Sequence, residues 1–207
     1  MDDYLWDIAP RDDSRIQELI EAADVTRPTA IALANRGIGP SDVRDFLNPA
    51  LSNLGDPYLL PGTKDAARRL WDAIRSGRRI LVHGDYDTDG ITAAALVSWV
   101  LRHNGAYVEC SLPHRIDDGY GLTGESIEKA ITEKWDVLLT VDCGITSFEA
   151  ANRAKELGIE LIVTDHHTPG ADPVPASVVV DPKLPGTPVE IQDLAGVGVA
   201  FKICHAF

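Results

Sequence analysis

The chain has 207 residues, and 44% of them are hydrophobic, which is enough for the core of one large domain and excludes a disordered chain. Apolar runs such as residues 93–97 are too short to cross a bilayer, and the amino terminus lacks a signal-peptide pattern. The net charge of −13 argues against a nucleic-acid partner, because Lys and Arg usually contact phosphate backbones, although bound divalent cations would neutralise part of it. Three widely spaced cysteines without a CxxC pair indicate reduced thiols, so we predict a cytoplasmic protein.

Residues 1–60 show the pattern of short helices. Apolar residues recur at helical spacing after Ser14, which could cap the first helix. Pro28 is typical of the start of a second helix, and Ser41 could cap a third. Asp-Pro and Pro-Gly pairs mark the boundary that follows. We therefore predict a helical amino-terminal segment over residues 1–60 and a second domain over residues 61–207.

After a further helix over residues 64–76, short apolar runs alternate with helical patterns. The predicted elements, in chain order, are strand 80–82, helix 91–103, strand 106–112, helix 125–133, strand 137–141, helix 147–157, strand 161–163, strand 178–180 and a helix that begins near 197. Strands separated by single helices predict an α/β fold with a parallel sheet of about five strands and helices on both faces. In such sheets, chemistry gathers at the carboxyl ends of the strands.

Acidic and histidine side chains follow these predicted strands directly. Converging carboxylates repel each other in a partly desolvated cleft unless a cation lies between them. A mixed set of Asp and His suits Mn²⁺, Mg²⁺, Fe or Zn, and this set offers enough ligands for two ions. Two ions about 3.5–4 Å apart are typical of phosphoester hydrolysis, because they activate water and stabilise the developing charge. The side chains are those of His83, Asp85, Asp87, Asp89, Asp142, Asp165, His166 and His167.

Each motif also has a purely structural interpretation. Asp87 and Asp89 are typical of a turn and a helix cap, and Asp142 could cap the helix that follows it. His166 and His167, taken alone, are typical of surface histidines. The joint occurrence of three such clusters at strand ends favours a shared metal site over these separate explanations.

The same residues resemble the motifs of the DHH phosphoesterase superfamily. Residues 83–90 resemble its first motif, residues 141–144 its second, and residues 164–167 the Asp-His-His motif that gives the superfamily its name. Residues 194–202 look like the glycine-rich stretch of the RecJ family. Further segments similar to RecJ proteins are residues 33–38, 46–49, 56–57, 113–115 and 119–122. The resemblance covers nearly the whole chain and indicates the RecJ family within the superfamily.

This resemblance implies a site with two divalent cations, Mn²⁺ first and Mg²⁺ as the alternative. His83, Asp87 and Asp142 would hold one ion. Asp89, Asp142 and His166 would hold the other, with Asp142 as the bridge.

The remaining site residues would act on the substrate or support the ligands. His167 would contact the scissile phosphate, Asp85 would support the metal ligands, and Asp165 would orient a histidine. Arg115 would hold a terminal 5′-phosphate by a bidentate contact, or it is an ordinary surface arginine. Two further substrate-binding candidates are Tyr86 and Gly144.

The resemblance further implies hydrolysis of single-stranded DNA from its 5′ end, with a single-strand-binding protein or a helicase as candidate protein partners. RecJ proteins carry a further metal-binding Asp downstream of the glycine-rich stretch, and this sequence stops before it. We therefore expect the chain alone to bind the second ion weakly and to show little processive activity. Two alternatives stay open: a phosphodiesterase of the same superfamily that acts on oligoribonucleotides or cyclic dinucleotides, and a non-catalytic binding scaffold.

Overall fold

The computed structural model describes residues 11–114 and 121–207. The chain divides into two compact units, Met1–Gly55 and Asp56–Phe207. The domain boundary that the sequence suggests after residue 60 stays a prediction. None of the helices in the described ranges is long and apolar enough to span a membrane.

The first unit contains three helices, α1 (Asp13–Ala23), α2 (Arg27–Asn35) and α3 (Val43–Leu47). Their apolar sides meet in a small core of Ile16, Leu19, Ala30, Leu33 and Val43. The predicted cap of α1 is wrong. Asp12 lies in extended conformation before the helix and its carboxylate accepts the Arg15 N–H, so Ser14 falls inside the first turn.

The second unit is an α/β fold with a five-stranded, entirely parallel sheet of strand order β2-β1-β3-β4-β5. This confirms the predicted fold class. Its strands are β1 (Arg79–Gly84), β2 (Tyr107–Ser111), β3 (Val137–Val141), β4 (Glu160–Thr164) and β5 (Val178–Val180). Its helices are α4 (Thr63–Arg75), α5 (Thr88–His103), α6 (Gly124–Thr132), α7 (Phe148–Leu157) and α8 (Gly196–Ala206).

Helices cover both faces of the sheet. Successive side chains of a strand point to opposite faces, so each strand contributes to both cores. Ile80 and Val82 belong to the core beneath α4, α5 and α8. Leu81 belongs to the opposite core, beneath α6 and α7. Burial on both faces explains why the central strands are continuous apolar runs rather than alternating ones.

Helix α5 begins three residues earlier than the sequence pattern indicates, at Thr88 rather than Ile91. Asp87 is extended and its Oδ1 accepts the Gly90 N–H at 3.0 Å, which makes it the cap of this helix. The first turn of α5 therefore starts directly beside the end of β1 and carries Asp89 toward the carboxyl edge of the sheet.

Candidate metal centre

Four aspartates lie side by side at the carboxyl edge of the sheet. The last residues of β1, β3, β4 and β5 are neighbours in the pairing register, and each is followed by an aspartate. The four residues, with exposed fractions of at most 2%, are Asp85, Asp142, Asp165 and Asp181. Buried carboxylates need a proton, a cation or several hydrogen bonds to be tolerated. The negative charges of these four aspartates must therefore be compensated in one of these ways.

Asp142 lies at the centre of two groups of candidate metal ligands. Its carboxylate belongs to one group with Asp85 and Asp87, and to another with His166 and His167, and the donor atoms within each group lie within 4.8 Å of one another. The His166 Nε2 is 3.1 Å from the Asp142 Oδ1 and 3.7 Å from the Asp89 Oδ2. Side chains from two other strand ends and one helix start therefore converge on the carboxylate of Asp142.

The environment of Asp142 opposes its charge. Burial raises the pKa of Asp142 to about 7, and the negative charges of Asp89 and Asp87 add to this rise. Burial likewise raises the pKa of Asp85, although the Tyr86 N–H that donates to its Oδ1 at 2.7 Å opposes the rise. A divalent cation between these carboxylates would reverse this balance by favouring their ionised forms.

The donor set fits a hard or borderline divalent cation. The buried Asp142 Oδ1 accepts no hydrogen bond within the described ranges, although the His166 ring nitrogen faces it. An orphaned carboxylate oxygen opposite an imidazole nitrogen is the arrangement that a shared cation would satisfy. The neighbouring Cys143 is not a ligand, because it is buried and burial raises the pKa of its thiol well above the usual value.

The backbone conformation of Asp142 is also unusual. Its φ of 61° lies in the left-handed region, where residues other than glycine are rare. Such conformations occur where the surrounding structure fixes a functional side chain. The alternative that Asp142 caps the following helix is wrong, because α7 begins at Phe148 with Ser147 in the cap position.

Asp165 holds the histidine pair in place. Its Oδ1 accepts the N–H groups of His166 at 2.7 Å and His167 at 3.2 Å, and it lies 2.7 Å from the Nδ1 of His167. Its Oδ2 accepts the Ile145 N–H at 2.9 Å. Burial lowers the pKa of His167, but the hydrogen bond and charge of Asp165 outweigh it, so the pKa is raised. Asp165 therefore orients His167 and favours its protonated form.

Asp89 accepts hydrogen bonds from a distant helix. Its Oδ2 accepts the Gly196 N–H at 2.7 Å and its Oδ1 accepts the Val197 N–H at 2.6 Å, both at the start of α8. Asp87, as described, caps its own helix α5. Capping and metal binding are compatible, because each carboxylate oxygen keeps a further lone pair.

The other sequence candidates lie around this centre. His83 is buried, and its Nε2 lies 3.4 Å from the Gly121 carbonyl oxygen; neither group of ligands found within the described ranges includes it. Gly144 and His167 share the lining of a cavity of about 240 Å³. Arg115 lies outside the described residues.

Asp181 belongs to the buried row but was not predicted as a site residue. Its Oδ1 accepts the Lys183 N–H at 2.7 Å, and its Oδ2 has no hydrogen-bond partner in the described part of the chain. Burial raises its pKa to about 6. Its position directly after β5, matching the aspartates after the other strands, is the pattern that could have identified it.

Residues 79–207 match the family model described as the DHH family, N-terminal domain. The chain is 36% identical over 202 residues to the single-stranded-DNA-specific exonuclease RecJ of Bacillus subtilis, covering 97% of this chain and 26% of that protein. It is 41% identical over 190 residues to the enzyme of the same name from Thermus thermophilus, covering 92% of this chain and 27% of that protein.

A solved structure of RecJ in complex with Mn²⁺ from Thermus thermophilus matches with a TM-score of 0.76 at 37% identity. The match covers 96% of this chain and 28% of that chain. The chain thus spans about a quarter of the length of the relatives it matches, 26% and 27% for the two curated proteins. The resemblance noted in the sequence is confirmed. On the family match over residues 79–207 and these similarities, the chain belongs to the DHH family.

Proposed function

We propose that this chain forms the metal-binding core of a single-stranded-DNA-specific 5′→3′ exonuclease of the RecJ type. The observation that carries the proposal is the position of Asp142, whose one carboxylate is common to both groups of candidate ligands. A carboxylate shared in this way is what a two-ion phosphodiesterase centre requires of a bridging ligand. The names of the similar proteins, single-stranded-DNA-specific exonucleases, support the same substrate for this chain.

The ligands divide into a carboxylate-rich half and a histidine half. Asp87 and Asp142, with Asp85 beside them, would hold one cation, and His83 stays a predicted ligand of the same ion. Asp89, Asp142 and His166 would hold the other. Mn²⁺ is the proposed metal, supported by the Mn²⁺ complex of the similar RecJ structure, with Mg²⁺ as the alternative. Bound there, the cations would supply an activated water and stabilise charge on the phosphate.

His167 is the proposed phosphate contact. The ring is held through Nδ1 by Asp165, and the raised pKa of His167 favours the protonated ring, which suits an anionic ligand. The Asp165 carboxylate is itself fixed by three backbone N–H groups, so the group that holds the ring has little freedom to move. This chain's own residues thereby orient a cationic donor toward the place where the substrate charge develops.

Substrate contacts and protein partners are part of the same proposal. Arg115 would bind a 5′-terminal phosphate, and Tyr86 and Gly144 would line the path of the strand. A single-strand-binding protein or a helicase would present the strand to the enzyme. The acidic net charge of −13 is compatible with this role, because bound cations would neutralise carboxylates at the centre.

The proposal is tested with the chain in excess over 5′-labelled single-stranded DNA in the presence of Mn²⁺. We expect release of mononucleotides from the 5′ end, slower hydrolysis of duplex DNA, and little hydrolysis of cyclic dinucleotides or short oligoribonucleotides. Asp142→Asn should remove the activity, whereas Asp172→Asn, at an exposed acid outside the centre, should retain it. Activity that survives Asp142→Asn, or a preference for cyclic dinucleotides, would contradict the proposal.

A further inference from the structure

We infer that Gly196 positions both Asp89 and Asp142 for metal binding, by donating a hydrogen bond to the first and by leaving space for the second. The inference rests on the proposed metal centre and assigns a positioning role, not a catalytic one, to a residue of the glycine-rich stretch. Gly196 is the first residue of α8, and Asp89 and Asp142 both lie near the His166 Nε2.

The N–H groups at the start of α8 donate hydrogen bonds to Asp89. The first N–H groups of a helix have no partner within the helix, and Ala195, in the cap position, offers no side-chain acceptor. Asp89 supplies both acceptors instead, one oxygen to the Gly196 N–H at 2.7 Å and the other to the Val197 N–H at 2.6 Å. The carboxylate is therefore fixed in orientation by two bonds, and the positive end of the helix dipole favours its charge.

Gly196 also leaves space that the Asp142 side chain occupies. A Cβ atom added at Gly196 would lie 2.2 Å from the Asp142 Oδ1, 2.6 Å from its Cγ and 2.7 Å from its Cβ. Side-chain carbons do not approach other heavy atoms this closely, so either the carboxylate or the helix would have to move. Asp142 cannot yield easily, because it is almost completely buried at the end of β3.

Gly198, two residues further along α8, does not show the same constraint. An added Cβ there would meet the Leu194 side chain at 3.2 Å, and its nearest contacts include no atom of the metal centre. Leucine side chains can adjust by changing rotamer, whereas a buried carboxylate aimed at a cation cannot do so without leaving its position. Gly198 is therefore a matched control in the same helix.

The combined effect is that one backbone position sets the separation of two ligands that come from α5 and β3. Displacing α8 outward would loosen the hold on Asp89, and displacing Asp142 would change its distance to His166, which is 3.1 Å. Residues that hold metal ligands in place typically change metal affinity when they are altered, even though they do not touch the metal.

The test is Mn²⁺ binding by Gly196→Ala and Gly198→Ala, measured by electron paramagnetic resonance with the full chain. We expect Gly196→Ala to weaken Mn²⁺ binding by about 10–100-fold, and Gly198→Ala to change it by less than about threefold. In metal-free protein, the ring resonances of His166 should shift in Gly196→Ala and stay in place in Gly198→Ala. Wild-type Mn²⁺ affinity and unshifted His166 resonances in folded Gly196→Ala would overturn the inference.

A second measurement covers the case in which Gly196→Ala does not fold. In the metal-free wild-type chain, the amide protons of Gly196 and Val197 should be protected from exchange, and Asp89→Ala should remove that protection while Asp87→Ala retains it. Unprotected amides, or protection that Asp89→Ala leaves unchanged, would overturn the inference. Asp142→Asn separates it from the proposed function: if that variant binds Mn²⁺ normally, the metal centre itself is wrong, whatever Gly196 does.

Discussion

Acidic side chains at the two ends of the same parallel sheet have opposite electrostatic environments. At the amino end, Glu160 begins β4 and accepts hydrogen bonds from Arg69 at 2.7 Å and Arg78 at 2.5 Å. Burial raises the pKa of Glu160, but the two arginines outweigh it and hold the pKa below its usual value. Arginines of the chain itself therefore compensate the acid at this end.

At the carboxyl end, the negative charges of the aspartates are only partly compensated by cationic side chains. Among the described residues, the salt bridges of the acids around the centre are with His166 and His167. Burial raises the pKa of Asp142 to about 7 and that of Asp181 to about 6. The comparison indicates that the acid at the amino end stabilises the fold, whereas the acids at the carboxyl end bind a ligand. It also gives the two ends opposite pH dependences, which the following experiments use.

The largest effect is expected for Asp142→Asn. In EDTA at pH 8 it should raise the free energy of unfolding by up to about 4 kcal/mol, because it removes a buried charge whose pKa is raised above the unfolded value. The same variant should lose Mn²⁺ affinity by about 100-fold or more. Denaturant unfolding and Mn²⁺ titration measure the two effects. If stability and Mn²⁺ affinity fell together, Asp142 would be a structural acid like Glu160.

Asp181→Asn should stabilise the metal-free chain by up to about 3 kcal/mol above pH 6 and by little at pH 4. The folded pKa is raised, so the stability contribution of Asp181 is present at low pH and is lost as pH rises toward 6. Asparagine keeps an oxygen for the Lys183 N–H. Urea unfolding at several pH values, with exposed Asp172→Asn as control, measures the difference. A gain that is independent of pH would argue against this explanation.

Glu160→Gln should act in the reverse direction and destabilise the chain by about 1–3 kcal/mol at pH 7, because both arginines lose a charged partner. The folded pKa is lowered, so this loss should shrink as pH falls through that pKa. Glu156→Gln, in an exposed pair with Arg153, should cost much less than Glu160→Gln, because solvent screens an exposed pair. Equal effects of the two substitutions would mean that Glu160 does not stabilise the amino end of the sheet more than an exposed acid does.

The smallest expected effect is the change in Mn²⁺ affinity for each pH unit. Asp142 must lose its proton to bind a cation, and its pKa is about 7. Mn²⁺ affinity should therefore fall about tenfold for each pH unit below 7, and this contribution should vanish above pH 7. Isothermal titration between pH 5.5 and 8.5 measures the slope. A flat profile below pH 7 would mean that Asp142 is not a ligand.

Much of this fold could be predicted because short stretches of sequence determine its strands and helices. Each buried strand is a short apolar run, α5, α6 and α7 each lie between two strands, and the acids follow directly after strands. Chain order alone therefore brings Asp87, Asp142 and His166 to one edge. Helix starts were less predictable. Asp12 rather than Ser14 caps α1, since either residue type can cap and the choice depends on backbone geometry.

The contacts between distant segments were not predictable from pattern. The approach of Gly196 to Asp142 and its hydrogen bond to Asp89 depend on how α8 packs beside α5, which no local period encodes. Asp181 differs from Gly196 in this respect, because it follows β5 directly and chain order could have placed it in the row of aspartates.

Anomalous diffraction from crystals of the chain soaked in concentrated Mn²⁺ tests directly whether Asp142 bridges two ions. We expect two manganese peaks about 3.5–4 Å apart, with the Asp142 carboxylate bound to both. Asp87 should lie beside one peak, and Asp89 and His166 beside the other. A single peak without Asp142 among its ligands, or manganese bound only away from this edge of the sheet, would contradict this expectation.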